Sequence, residues 1–296
     1  MSDEDLGPGV RRMRPDDHFM ILTETDATPM HIGSLQYFDV PAGARADFYD
    51  AARKQIAQRL PHTPLLSVLR QEPEGYDSDI WVGVAECDLD YHVVRVSDPL
   101  DEAGVRVFIA QKIMERLDLS KPPFRVYVFD NLADGRAALY SKVHHSVTDG
   151  IGFQTILACF SDDYPPASHT PVAGSVPDAA AWRAAADAKF AAEAQAVKDK
   201  RAAMDAALGM LRSGELAPRA KTPTLRMSAP TSNQRAYETL SLPLARVKAL
   251  SKKLDGTVND IFLTIGGTAI RNYLLEINDL PSDPIVVNSA RSYRDP

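Results

Sequence analysis

Apolar and polar positions follow two different periods along the chain, and the change between them marks out the elements. Residues 31–40 (HIGSLQYFDV) alternate and predict a strand, and further β-rich runs occupy 65–71, 80–87 and 91–96. Residues 44–60 carry apolar side chains at helical spacing and stop before Pro61. Residues 101–117 show the same pattern more strongly, with Val105, Phe108, Ile109, Ile113, Met114 and Leu117 on one face. Two β-rich runs, 124–130 and 136–143, flank Asn-Leu-Ala-Asp-Gly, a turn signal that predicts a hairpin. An apolar helix is expected over 150–160, and residues 1–12 read as a mobile tail.

Beyond this the pattern changes. Residues 165–178 (PPASHTPVAGSVPD) have linker composition, and a long Ala-rich helix is expected over 178–213. Its larger side chains, Trp182, Phe190, Val197, Met204, Leu208 and Leu211, recur near multiples of 3.5 and form one stripe, which reads as packing against the fold rather than docking on a membrane or partner. A Pro-rich loop follows at 214–234, then a strand at 236–242, helices at 243–254 and 258–276, and a buried strand at 284–290. The expectation is an α/β (α+β) protein of two domains: an N-terminal domain at 13–165, a linker with the long helix at 166–234, and the beginning of a second domain at 235–296. One helix pair and two strands cannot cover a sheet on both faces, so the second domain is expected to be incomplete.

Composition narrows the functions open to such a fold. A net charge of −7 and a pI near 5.5 disfavour nucleic acid or an anionic membrane as a partner of the whole surface. Two cysteines, Cys87 and Cys159, are too few for a disulfide scaffold and sit in apolar surroundings. The polar N-terminus resembles no secretory signal, and no apolar run is long enough to span a bilayer, so the reading is cytoplasmic, at most peripheral on a membrane or lipid-droplet surface. The glycine-rich loops of ATP and nicotinamide sites are missing, as is the GxSxG elbow of serine hydrolases.

Candidate chemistry concentrates where the second hairpin strand runs into His144-His145-Ser146-Val147-Thr148-Asp149-Gly150. A histidine at a strand tip can face a cleft on a fixed backbone, and imidazole accepts a proton near neutral pH and returns it later. Asp149 is placed to cap the helix at Gly150, and Gly150 and Gly152 permit a tight turn with close backbone approach. From the residues alone three roles stay open for the pair: general base, structural histidines, or metal ligands with Asp149. Successive strand residues face opposite sides, so both rings reach one ion only if the strand bends.

These residues resemble the HHxxxDG signature of the bacterial wax ester synthase/diacylglycerol acyltransferases, a family within the coenzyme-A-dependent acyltransferases that include chloramphenicol acetyltransferase and condensation domains. The likeness continues in order through Pro29-Met30-His31-Ile32-Gly33, Trp81-Val82, Asp88-Leu89-Asp90-Tyr91-His92-Val93, Thr257-Val258-Asn259-Asp260-Ile261 and Gly266-Gly267-Thr268-Ala269-Ile270-Arg271. Two departures stand out: Leu117-Asp118-Leu119-Ser120-Lys121-Pro122-Pro123-Phe124 where the family usually reads L-D-R-S-x-P-L-W, and Cys87 in place of an aromatic residue.

The resemblance implies a chloramphenicol-acetyltransferase-like two-domain fold and transfer of a fatty acyl group from acyl-CoA, as co-substrate, to a lipid alcohol such as diacylglycerol or a fatty alcohol, with no further cofactor and no metal. It maps the base onto His145, loop support onto His144, an architectural role held by an arginine onto Asp149, and backbone room beside the substrate onto Gly150. Asn259 and Asp260 are expected to fix a helix start, and His31 and His92 to be structural. Family members run well past the segment resembling Val286-Val287-Asn288, so a second chain or segment is expected to complete the second domain. A non-catalytic lipid- or acyl-CoA-binding protein on the same fold is the alternative.

Overall fold

A computed structural model of the chain describes residues 6–41, 43, 47–72, 75–161, 172–215 and 222–287. Residues 165–171 of the expected linker and 288–290 of the last expected strand lie outside the described residues. The chain divides into two units: one comprises Met1–Val197 with Ser232–Tyr237, the other Lys198–Thr231 with Glu238–Pro296.

The first unit is built on two sheets. Strands β1 (Val10–Arg12), β4 (Ile80–Gly83) and β3 (Ser67–Arg70) form an antiparallel three-stranded sheet in the order β1-β4-β3. A four-stranded sheet takes the order β2-β7-β6-β5, from β2 (His31–Phe38), β5 (Val93–Val96), β6 (Phe124–Phe129) and β7 (Ala137–His144). Only the β5–β6 pair is parallel; β6 and β7 form the expected hairpin, turned by Gly135 at φ +84°.

Alternation along β6 decides how helices cover this sheet. Val126 and Val128 join a core with Ile56 of α2 (Phe48–Arg59) and Phe153 and Ile156 of α5 (Gly150–Cys159). Tyr127 and Phe129 face the other way, onto Val105 and Ile109 of α4 (Glu102–Lys112). Each such side chain, fully buried, contributes about 1.5–3 kcal/mol. A short helix α1 (Pro15–Thr23) precedes β2, and a single helical turn α3 (Leu89–His92), capped by Asp88, opens β5 where the sequence pattern suggests strand from residue 91. His92 is buried, stacks on Phe124 at 4.5 Å and hydrogen-bonds the Phe124 carbonyl at 2.8 Å, the structural role expected of it.

Three expectations about the tail and the long helix need correction. Residues 6–12 are not a loose tail: Leu6 and Val10 are buried, and β1 pairs with β4. Pairing and an apolar contact with Trp182 hold a segment too short to show a period of its own. Within 166–234, the front of the long helix α6 (Ala179–Ser213) is part of the first unit rather than a linker, because Trp182 and Ala185 pack on Val68, Ile80 and Val82. The packing stripe stops there: Val197, Met204, Leu208 and Leu211 are exposed.

The second unit holds the rest of α6 with α7 (Leu244–Lys253) and α8 (Val258–Glu276), the helix pair expected from the pattern. Left-handed Asp255 and Asn278 end the two helices, at φ 51° and 54°. Residues 236–242 and 284–287 are not strands, since neither stretch finds a strand to pair with among the described residues. The Thr257 hydroxyl caps α8 by accepting from the Asp260 amide at 3.1 Å, and the Asp260 carboxylate accepts the Thr257 amide at 2.7 Å. The cap is therefore Thr257 with Asp260 as its reciprocal partner. Asn259 is exposed in the first turn and is not the cap.

Candidate active site

Strand β7 ends at His144, and five residues carry the chain into α5. The register pairs His31 with His144, so both rings fall on the α4 side of the sheet, 5.7 Å apart and edge to face. His144 is fully buried. The Ser146 amide donates to its Nδ1 at 3.2 Å, with the Ser146 hydroxyl 2.6 Å from the same nitrogen. An accepting Nδ1 places the proton on Nε2, which faces Glu24 Oε1 at 3.5 Å.

Glu24 collects the charges of this corner. Its side chain is almost wholly buried, and Arg116 donates to Oε2 from Nε and Nη2 at 2.9 and 2.8 Å. Burial pushes the carboxyl up, but His144, the Met30 amide and Arg116 together outweigh it and hold it at about 2. His31 is neutral: Nδ1–H donates to the Ile113 carbonyl at 3.0 Å, and Nε2 accepts from the Leu117 amide at 3.4 Å. Burial first, then the charge of Lys142, brings its pKa down to about 4. The buried Lys142 donates to the Lys112 and Glu115 carbonyls at 2.6 and 2.5 Å, and burial lowers it to about 8. His31 and Lys142 thereby satisfy carbonyls that the end of α4 leaves unpaired.

This buried corner reaches His145 through one residue. The Met30 amide donates to Glu24 Oε1 at 3.1 Å, and the Met30 carbonyl accepts the His145 amide at 2.7 Å. The main chain of His145 is pinned while its ring stays half-buried, with no hydrogen-bond partner among the described residues. A fixed, unpaired imidazole can take a proton from a bound hydroxyl; the His144 ring, wholly buried with its Nδ1 taken up by Ser146, cannot. The two histidines the sequence offers as equivalent thus have opposite environments.

Asp149 is the N-cap of α5, its Oδ1 accepting the Gly152 amide at 2.7 Å. An arginine within reach of its charge is Arg14, whose guanidinium pairs with Asp17 at 3.0 Å and is held charged first by Asp17, with Asp149 adding to it. The two glycines divide. A Cβ on Gly152 would stand 2.2 Å from Thr148 Oγ1, whereas nothing among the described residues lies within 4 Å of one on Gly150. Close approach within the chain falls on Gly152. His144, His145, Asp149 and Gly150 are brought together as their spacing requires; Asn259 and Asp260 belong to the second unit. Sequence reasoning missed Glu24, Arg116 and Lys142, which lie far apart in the chain and carry no local signal beyond the Pro-Met-His segment. Cys87, pushed up to about 11 by burial, is no activated thiol.

Residues 13–262 match the wax ester synthase/diacylglycerol acyltransferase catalytic domain. Mycobacterium tuberculosis Rv3480c, named provisionally as a diacylglycerol O-acyltransferase, is 28% identical over 94% of this chain and 64% of its own. Rv3087 of the same organism, named likewise, is 30% identical over 94% of this chain and 62% of its own. The wax ester synthase/diacylglycerol acyltransferase of Marinobacter aquaeolei VT8 shares the fold, with a TM-score of 0.64 and 23% identity over 93% of this chain and 63% of that one. The chain thus spans less than two thirds of the length of these relatives. With a domain match that takes in the hairpin, both histidines and the start of α8, the chain belongs to the wax ester synthase/diacylglycerol acyltransferase family.

Proposed function

We propose that the chain supplies the base-bearing part of an acyl-CoA-dependent O-acyltransferase that esterifies a lipid alcohol, diacylglycerol or a long-chain fatty alcohol, giving triacylglycerol or wax ester. The observation that carries this reading is the contrast within the histidine pair: one ring locked in a buried network, the next unpaired on a pinned backbone at the strand tip.

His145 takes the proton of the acceptor hydroxyl as that oxygen attacks the thioester carbonyl. Collapse of the tetrahedral adduct breaks the carbon–sulfur bond, and the proton on His145 passes to the departing CoA thiolate. Acyl-CoA is the co-substrate, and no cofactor or metal enters the cycle. His144 holds the loop through Ser146, Asp149 anchors α5, and the open backbone at Gly150 leaves space for substrate. Contact with a lipid surface is peripheral in this reading; no helix among the described residues is long and apolar enough to cross a membrane.

The test is thiol release from palmitoyl-CoA in the presence of diacylglycerol or hexadecanol. Release is expected, and His145→Ala lowers it about 10²–10⁴-fold, the usual contribution of a general base. Undiminished release from that variant removes the mechanism.

A further inference from the structure

The apolar stripe on α6 is covered only at its front. Trp182 and Ala186 are buried, and the same side of the helix then carries Val197, Met204, Leu208 and Leu211, which are between 43% and 62% exposed. Spacings of seven, four and three residues set these four in line at 3.6 residues per turn, along about 21 Å of helix. The packed front nucleates α6, and Ala202, Ala203, Ala206 and Ala207 propagate it by propensity.

Charge is arranged around this stripe. On the helical repeat Lys200 falls on one border, and Arg201 and Arg212 fall on the other. All three are exposed, and no carboxylate pairs with any of them among the described residues. Asp205 lies outside the arginine border, and Asp199 and the exposed Met210 fall on the far side of the helix. Residues 197–213 thus hold four basic and two acidic side chains in a chain whose net charge is −7.

An apolar stripe between cations fits the boundary of a lipid layer. The apolar side chains enter the acyl region, while the long stems of lysine and arginine lie along it and lift their charges to the headgroups. A protein partner would have to pair these cations or strip them of water; anionic headgroups pair them in water. The acidic remainder of the chain is repelled by such a layer, so approach is favoured with this helix in front. The helix lies on the layer, since no helix among the described residues is long and apolar enough to cross a membrane.

We propose that residues 197–212 of α6 dock along an anionic lipid surface, with Val197, Met204, Leu208 and Leu211 entering it and Lys200, Arg201 and Arg212 pairing with its phosphates. This places the peripheral lipid contact of the acyltransferase reading on one helix, and it rests on that reading in nothing else.

Cosedimentation of the 296-residue chain with vesicles of phosphatidylcholine alone, and of phosphatidylcholine mixed equally with phosphatidylglycerol, tests it. Binding to the mixed vesicles is expected to be about tenfold tighter or more and to weaken steeply as salt is raised. Replacing Lys200, Arg201 and Arg212 by Gln lowers affinity for the mixed vesicles about fivefold per charge and leaves the weak binding to phosphatidylcholine unchanged. Met204→Ser with Leu208→Ser weakens binding to both. All five positions are exposed, so these variants melt with the parent chain. Val107→Ser removes a comparably exposed apolar side chain from α4 and leaves binding unaltered.

Equal binding to the two vesicle types overturns the anionic surface. Binding that outlasts the paired serine substitutions overturns the assignment to this helix. Absence of vesicle binding also overturns the proposal: a dimer in sedimentation equilibrium that the serine pair dissociates then gives the stripe to a second copy of the chain, and a monomer leaves it to a different protein. The vesicles hold neither acyl-CoA nor acceptor alcohol, so thiol release, with or without vesicle binding, judges His145 separately.

Discussion

Glu24 touches Arg116 and the Met30 amide and faces the rings of His31 and His144, so a change of one atom there reports on how the corner holds His145. Glu24→Gln keeps the size of the side chain and removes its charge. Hydrogen bonds to charged groups contribute about 1.5–3 kcal/mol, and a loss in that range is expected in urea denaturation. A looser Met30 also frees the His145 main chain, so kcat should fall while KM holds; an unchanged kcat would mean that β2–β7 pairing alone fixes the histidine. The glycines of the signature offer a second contrast. Gly152→Ala forces a Cβ against Thr148 Oγ1 and should lower the melting temperature. Gly150→Ala meets open space in the first turn of a helix and should be neutral or add up to about 1 kcal/mol. If Gly150 leaves room for substrate, its alanine variant loses activity without losing stability, a combination no packing defect produces.

At the scale of elements, α5 depends on its cap. Asp149→Ala removes the acceptor of the Gly152 amide and the charge beside Arg14, and should cost about 0.5–2 kcal/mol. Asparagine caps equally well but is neutral, so Asp149→Asn isolates the charge; the difference between the two variants in thermal melting measures the cap itself. This helix start could be read in the sequence because a strand period, a capping residue and a helical run follow one another within a few positions. The same holds for the β6–β7 hairpin and for α4, although α4 ends at Lys112 rather than near Leu117 because Lys142 and His31 take up its last carbonyls. Where partners are distant the sequence falls silent. Strand β1 exists through its register with β4, and residues 236–242, with the right alternation, pair with no strand among the described residues and form none. The stripe on α6 fails in a related way, since spacing places six side chains on one face but cannot say how far along the helix a sheet lies beneath it. The buried corner is legible only in three dimensions: residues 24, 31, 116, 142 and 144 meet because the β2–β7 register sets His31 opposite His144 and α4 brings up its C-terminal end.

For the whole molecule, that corner sets the response of stability to pH. His31 is held neutral with a folded pKa of about 4, against 6.5 for the free side chain. Between those values the unfolded chain binds a proton that the folded one refuses, so the stability associated with His31 is complete above pH 6.5 and is lost as the pH falls to about 4. Glu24 acts in the same direction lower down: its carboxylate is stabilised to about 2 against 4.5, and its contribution drains away as pH falls between them. Lys142, lowered to about 8 from 10.5, works at the other end, where the unfolded chain again holds the extra proton and stability rises with pH through that window. From neutral pH, melting temperature should therefore decline in two successive stages on acidification, the first below pH 6.5. His31→Gln, which can still reach the Ile113 carbonyl, is expected to shrink the first stage to what the buried His92 supplies and leave the second, whereas Glu24→Gln shrinks the second, to which Asp77 also contributes. A melting curve that stays flat from pH 6.5 to 4, or one that His31→Gln leaves unaltered, would show that the imidazole takes up its proton within the fold and that the network rearranges to accept it.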